Sequence, residues 1–217
     1  MNKIIIVDDH SLFREGIKLL IENENLGEVI GEAENGQDFL NLLKTLSPDL
    51  VIMDVEMPVM GGLEAIRKGL KINHHLKMLV LSMQREKSIY LELIRAGAMG
   101  IILKTSGKNE FEKAIKAIAN DDNYFSKELI PLLVANSKVP AHRASVDVQP
   151  ETEKLTTREN EILQYLCEGL TVSEIAAQLF ISVKTVEAHR ATLLRKTNSR
   201  DTLNLVLYGV KNKVVVF

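Results

Sequence analysis

Apolar positions in the first part of the chain follow two alternating rhythms. Short runs stand at Ile4–Val7, Leu50–Met53, Met78–Leu81 and Gly100–Leu103, with a weaker one at Glu28–Ala33. None alternates strictly, which is the pattern of parallel strands buried on both faces. Segments with helical spacing lie between them. Leu12, Gly16, Leu19 and Leu20 mark the first. Phe39, Leu42, Leu43 and Leu46 mark the second, which Ser47-Pro48 stops. Leu63, Ile66 and Leu70 mark the third, Ile89, Leu93 and Ile94 the fourth, and Phe111, Ile115 and Ile118 the fifth. Five strands alternating with five helices predict a doubly wound α/β domain.

From Asn136 to Thr152 the chain is polar, carries two prolines and loses all periodicity, as a linker does. Beyond it the pattern is helical. Thr156 to Glu159 and Thr171 to Glu174 are capping boxes, in which the glutamate reaches back to the start of its own helix. Ile162, Leu163 and Leu166 face inward on the first helix, which Gly169 ends. Ile175, Ala176 and Leu179 mark the second. Ser182 caps a third, with Val183, Val186 and Leu193 inward, and a fourth is expected from about Asp201 to Lys211. The predicted organisation is therefore 1–121, a connecting segment 122–152, and 153–217.

Composition narrows the class. Apolar residues make up 46% of the 217, with no apolar run long enough for a membrane helix. The start, MNKIIIVDD, lacks a secretory h-region, and Cys167 is the only cysteine, so a reducing cytoplasm is expected. Net charge is −2, but residues 184–200 hold five basic side chains (Lys184, Arg190, Arg195, Lys196 and Arg200) against one acid, Glu187. That is a local basic patch.

Four strand runs end in chemistry. Asp8-Asp9 follow the first, Asp54 the second, Ser82 the third and Lys104 the fourth. Ligands of open parallel sheets bind outside the carboxyl ends of the strands. Clustered carboxylates repel each other, and a hard cation such as Mg²⁺ relieves that. A carboxylate flanked by metal, ammonium and hydroxyl suits phosphoryl transfer, with Asp54 as nucleophile. Taken singly, each residue reads as a turn or a solvated charge. Their order, one per strand end, is what favours a site.

IIIVDDH, LVIMDVEMPVMGG, LVLS and GIILK match in order the blocks of bacterial two-component receiver domains. Residues 1–120 resemble that family, whose fold is a five-stranded flavodoxin-like sheet. The resemblance implies Asp54 as phosphoacceptor. It also implies Mg²⁺ held by Asp8, Asp9, Asp54 and the backbone carbonyl of Glu56, with Ser82 as switch hydroxyl and Lys104 as phosphate contact. The aromatic commonly found three residues before the lysine is Ile101 here.

Thr171–Lys196 reads as a helix–turn–helix, and a solvated basic bundle face is the plainer alternative. LTVSEIAAQLFISVKTVEAHR, however, resembles the LuxR/NarL-type four-helix DNA-binding domain over about 155–211. The resemblance implies phosphate contacts from Lys184, Thr185, His189, Arg190 and Lys196, with Arg195 also outward. It places Glu187, Ala188 and Ala191 at base edges. Leu203, Val206, Leu207 and Val210 would mark the helix that pairs protomers. Relative to the family, the segment between Lys196 and Arg200 is two residues short.

The chain is thus identified as a NarL/FixJ-type response regulator: a receiver followed by an all-α domain, phosphorylated by a histidine kinase, binding repeated DNA half-sites as a dimer. It would be cytoplasmic and would act on no external substrate. A Mg²⁺-dependent phosphotransferase of the haloacid-dehalogenase sort is the enzyme alternative. That alternative wants an Asp where Glu56 stands and leaves 155–211 unexplained.

Overall fold

The computed structural model describes residues 1–83, 87–129, 155–199, 202–212 and 214. They fall into two units that divide between Ser126 and Lys127. The predicted linker, 136–152, lies outside the described residues.

The first unit runs β1 (Lys3–Val7), α1 (Ser11–Asn23), β2 (Glu28–Ala33), α2 (Gly36–Leu42), β3 (Leu50–Asp54), α3 (Gly62–Ile72), β4 (Lys77–Ser82), α4 (Lys87–Ala96), β5 (Gly100–Leu103) and α5 (Lys108–Ala119). All strands are parallel, in the order β2-β1-β3-β4-β5, with one further strand paired to β5. The sheet therefore has six strands, not five. The extra one, β6 (Tyr124–Phe125), is two residues long and sits in what was read as connecting segment. Two residues carry no period, so no pattern could announce it. It covers the edge of β5: the Tyr124 N–H donates to Met99 O at 3.2 Å and the Ser126 N–H to Ile101 O at 3.0 Å.

Side chains alternate across the strands. Ile4 and Ile6, Leu50 and Ile52, Leu79 and Leu81, and Ile102 pack with Ile17 and Ile21 of α1 and Phe111, Ile115 and Ile118 of α5. Positions 8, 54 and 104 continue that parity on β1, β3 and β5, so their side chains emerge on one side of one sheet rim. Strand order reverses between β1 and β3, which makes this rim the topological switch point.

Helix α1 departs from expectation. Its buried residues are Arg14, Ile17 and Ile21, whereas Leu12 is 82% exposed and Leu19 58%. The helix is apolar on more than one side, so two stripes fitted the same period. The stripe carrying an arginine is the buried one.

The second unit holds α6 (Thr157–Cys167), α7 (Val172–Gln178), α8 (Val183–Lys196) and α9 (Thr202–Lys211). Both predicted capping boxes form, and the Ser182 side chain accepts from the Thr185 N–H at 3.1 Å. Gly169, at φ 81°, turns the chain after α6, with the Leu170 N–H donating to Tyr165 O at 3.0 Å. Ile162, Leu163, Leu166, Ile175, Val186, Leu193 and Leu205 form the core. Val183 is exposed rather than inward. The side chains of Leu203 and Val210 lie outside the described residues, while Val206 and Leu207 are buried. No described helix is long and apolar enough to cross a membrane.

Candidate functional site

Asp54 is the last residue of β3, and Gly62 brings α3 close beneath it. The Gly62 N–H donates to Val55 O at 2.9 Å. A Cβ on Gly62 would lie 2.1 Å from the Asp54 carbonyl oxygen. Any side chain there must push the loop off the strand end. Gly62→Ala is therefore expected to lower receiver stability by about 1–3 kcal/mol, read as a fall in the denaturant midpoint. An unchanged midpoint would mean that the close approach is dispensable.

The rim is assembled as the parity requires. Lys104 Nζ lies 2.7 Å from Asp54 Oδ2 and 2.7 Å from Asp8 Oδ2. Asp54 Oδ1 accepts from the Val55 N–H at 2.7 Å, and Asp8 Oδ1 from the His10 N–H at 2.8 Å. The Lys104 ammonium also sits 4.8 Å from the centroid of the Phe13 ring. Ser82 is fully buried on the neighbouring strand, where its carbonyl accepts from the Lys104 N–H at 2.9 Å. Asp9 and Glu56 are exposed beside the rim. Ile101 is fully buried in β5, in register with Val80 and Phe125.

Two carboxylates and one ammonium share a nearly dry space. Burial pushes the Asp54 carboxyl above its ordinary range, and Lys104 pulls it back only in part. Burial opposes the Lys104 charge, yet hydrogen bonds to Asp54 and Asp8 outweigh it and raise its pKa. Asp8 is 1% exposed. Its Oδ2 is paired with the Lys104 ammonium at 2.7 Å. Carboxylate oxygens of Asp8, Asp9 and Asp54 gathered within 4.8 Å of one another suit a small hard cation.

One residue of this site escaped the sequence reading. Arg14 is buried beneath Asp8, with Nη1 donating to Asp8 O at 2.5 Å. Glu34 lies 3.2 Å and Glu32 3.5 Å from its guanidinium. It fixes the backbone from which Asp8 projects. The signal was present: 14, 17 and 21 share one helical stripe.

In the second unit, α7 and α8 form a helix–turn–helix with the exposed Phe180, at φ 53°, in the turn. Lys184, Thr185, Glu187, Ala188, Ala191 and Arg195 are exposed on α8, and His189 and Arg190 are partly buried. Lys196 is placed differently from expectation. Its side chain is only 11% exposed and its Nζ lies 2.9 Å from the buried Glu159. That ammonium ties α8 to the start of α6 and is spent within the domain.

Residues 4–116 match the model of the response regulator receiver domain, and residues 153–208 that of the luxR family of bacterial regulatory proteins. The chain belongs to the LuxR-type response regulators. The response regulator GacA of Pseudomonas aeruginosa is 34% identical, over 99% of this chain and 98% of that protein. A structure of two RcsB dimers bound to two parallel DNAs matches with TM-score 0.58 and 25% identity, covering 95% of this chain and 96% of that one. The isolated receiver domain of RcsB from Salmonella enterica serovar Typhimurium, in the presence of phosphomimetic BeF3⁻, matches with TM-score 0.57 and 26% identity. That match covers 61% of this chain and 98% of that one. This response regulator is accordingly a transcriptional regulator, and its relatives include the transcriptional regulatory proteins DegU of Brevibacillus brevis and LiaR of Bacillus subtilis. The haloacid-dehalogenase alternative is not favoured, since it provides no place for the luxR-family domain.

Proposed function

We propose that Asp54 accepts a phosphoryl group from a sensor histidine kinase and that this modification controls DNA binding by α8. The single observation that carries the reading is the Lys104 ammonium, 2.7 Å from both Asp8 and Asp54. It holds the nucleophile and Asp8 at one point. An Asp54 oxygen attacks phosphorus, the O–P bond forms, and the donor's N–P bond breaks with its electron pair leaving on nitrogen. Lys104 neutralises charge on the equatorial oxygens, and Ser82 donates to one of them. Asp8, Asp9, Asp54 and the Glu56 carbonyl would hold Mg²⁺, which when bound supplies further charge neutralisation at the phosphoryl oxygens.

The phosphoryl group biases an existing equilibrium of the receiver. Its relative RcsB occurs as dimers on DNA, and we extend that arrangement to this chain: a cytoplasmic homodimer on repeated half-sites. Lys184, Thr185, His189 and Arg190 would meet phosphate, with Glu187, Ala188 and Ala191 at base edges. The domain limits 1–121, 122–152 and 153–217 belong to this reading, with β6 now inside the second segment.

Two measurements test it. Treatment with a small phosphodonor and Mg²⁺ should tighten binding to a target promoter in the wild type and leave Asp54→Ala unchanged. Equal affinities before and after treatment would overturn the coupling. For Lys184→Ala, affinity should fall on every sequence, and the slope of log K against log salt should drop by about 1. An unchanged slope would remove Lys184 from the phosphate contacts.

A further inference from the structure

Of the polar side chains buried among the described residues, Ser126 alone has no part in the rim, its supports or the α6 cap. Its N–H donates to Ile101 O at 3.0 Å, which fastens it beside β5. Its hydroxyl works in two directions. The Oγ accepts from the Leu103 N–H at 3.4 Å and donates to Glu110 Oε1 at 2.6 Å. One hydroxyl therefore joins the last residue of β5 to the first turn of α5. Those two anchors bracket the loop that begins at Lys104. The same loop is held from within, where the Ser106 N–H donates to Leu103 O at 2.9 Å.

The place of Ser126 in the chain gives these bonds a second meaning. Leu103 directly precedes Lys104, the cation 2.7 Å from both Asp8 and Asp54. Ser126 is the last residue of the first unit, and from it the chain runs on toward the helix–turn–helix. The two bonds also differ in strength. The bond to the half-buried Glu110 carboxylate is short, as charge-assisted bonds are. The bond from Leu103 stands near the outer limit for an N–H donor, so a small displacement of the strand end decides whether it exists.

We propose that Ser126, aimed by Glu110, is a positioning residue that reads the strand end bearing Lys104 and passes its state into the chain leading to the DNA-binding domain. This rests on the proposed phosphorylation of Asp54 and names the relay through which it acts. A phosphoryl group on Asp54 brings new anionic oxygens to Lys104 and draws the ammonium toward them. Leu103 moves with its neighbour, and the marginal bond to Ser126 is made or lost. Glu110 keeps the hydroxyl from rotating freely, so the change arrives at residue 126. Two arrangements of this bond form the two-state element that such coupling requires.

The test measures coupling, which a merely structural role would leave alone. The full chain is treated with phosphoramidate and Mg²⁺, and modification of Asp54 is quantified by mass spectrometry. Affinity is then measured for duplexes selected from a random pool by the wild type. On modification the wild type should bind more tightly, by on the order of five- to a hundredfold. Ser126→Ala should be modified to the same extent yet gain less than about twofold in affinity. Glu110→Ala should reproduce that loss from the α5 side. Glu110→Gln, whose Oε1 still accepts, should keep most of the gain. If Ser126→Ala unfolds, the two Glu110 variants decide the matter.

Variants that are modified and gain affinity as the wild type does overturn the proposal and leave phosphorylation control intact. So does a Glu110→Gln chain as uncoupled as Glu110→Ala, because the accepting oxygen would then not be what matters. Folded variants that fail to take up the phosphoryl group overturn it too, since their fault would lie in the rim. A wild type that gains no affinity on modification, or is not modified, overturns the proposal together with the reading beneath it.

Discussion

Lys104→Met is expected to destabilise the receiver by on the order of 3 kcal/mol in the absence of divalent cations. The Lys104 side chain is 7% exposed and is the cation seen between Asp8 and Asp54, at 2.7 Å from each. Methionine fills a similar volume, so the loss is one of charge rather than packing. Two buried carboxylates would then face each other, and burial already pushes the Asp54 carboxyl upward. One of them must take up a proton or the rim must open. Added Mg²⁺ should restore much of the loss, because it binds the folded rim and meets no competing ammonium there. Unfolding midpoints with and without Mg²⁺ measure both effects. If the variant unfolds with the wild type in the absence of metal, Lys104 is not what neutralises the pair.

Glu159→Leu should cost the helical domain about 2–4 kcal/mol. This carboxylate accepts from the Thr156 N–H at 2.7 Å and from Lys196 Nζ at 2.9 Å, so its loss uncaps α6 and strands a buried ammonium. The same site predicts a pH dependence. Burial works against the Glu159 charge, but the Thr156 N–H and Lys196 outweigh it and lower its pKa from the ordinary 4.5. A folded pKa below the unfolded one gives stability that is fully present above about pH 4.5. That stability is lost as pH falls through the depressed value. Glu159→Gln should therefore flatten the stability curve below that pH while lowering stability above it. A Gln variant that keeps the wild-type acid limb would show that other carboxylates carry it.

Much of the architecture was legible because each strand of the receiver is buried on both faces and ends at a residue of different chemistry. The parity of 8, 54 and 104 along their strands follows from the pleat alone, which is why three distant side chains could be placed at one rim. The capping boxes at Thr156 and Thr171 were equally readable, since local hydrogen bonding sets them. What stayed hidden depends on partners that have no period. Strand β6 is held by hydrogen bonds to β5, not by its own pattern. Leu12 and Leu19 obeyed helical spacing as well as Ile17 and Ile21 did, and only the sheet decides which stripe is covered. Lys196 continues the basic pattern of its helix in sequence, and its partner Glu159 stands 37 residues away in the chain.

On the proposed function, a buried strand delivers Asp54 as phosphoryl acceptor to the rim that carries Lys104, Asp8 and Asp9. Incubating the full chain with a small phosphodonor and Mg²⁺, then mapping the modified peptide by mass spectrometry, tests it directly. A phosphoryl adduct on Asp54 that survives acid, is released by base and is absent from Asp54→Ala is the expected result. A wild-type chain that acquires no such adduct under these conditions, or carries it on another residue, would contradict the account.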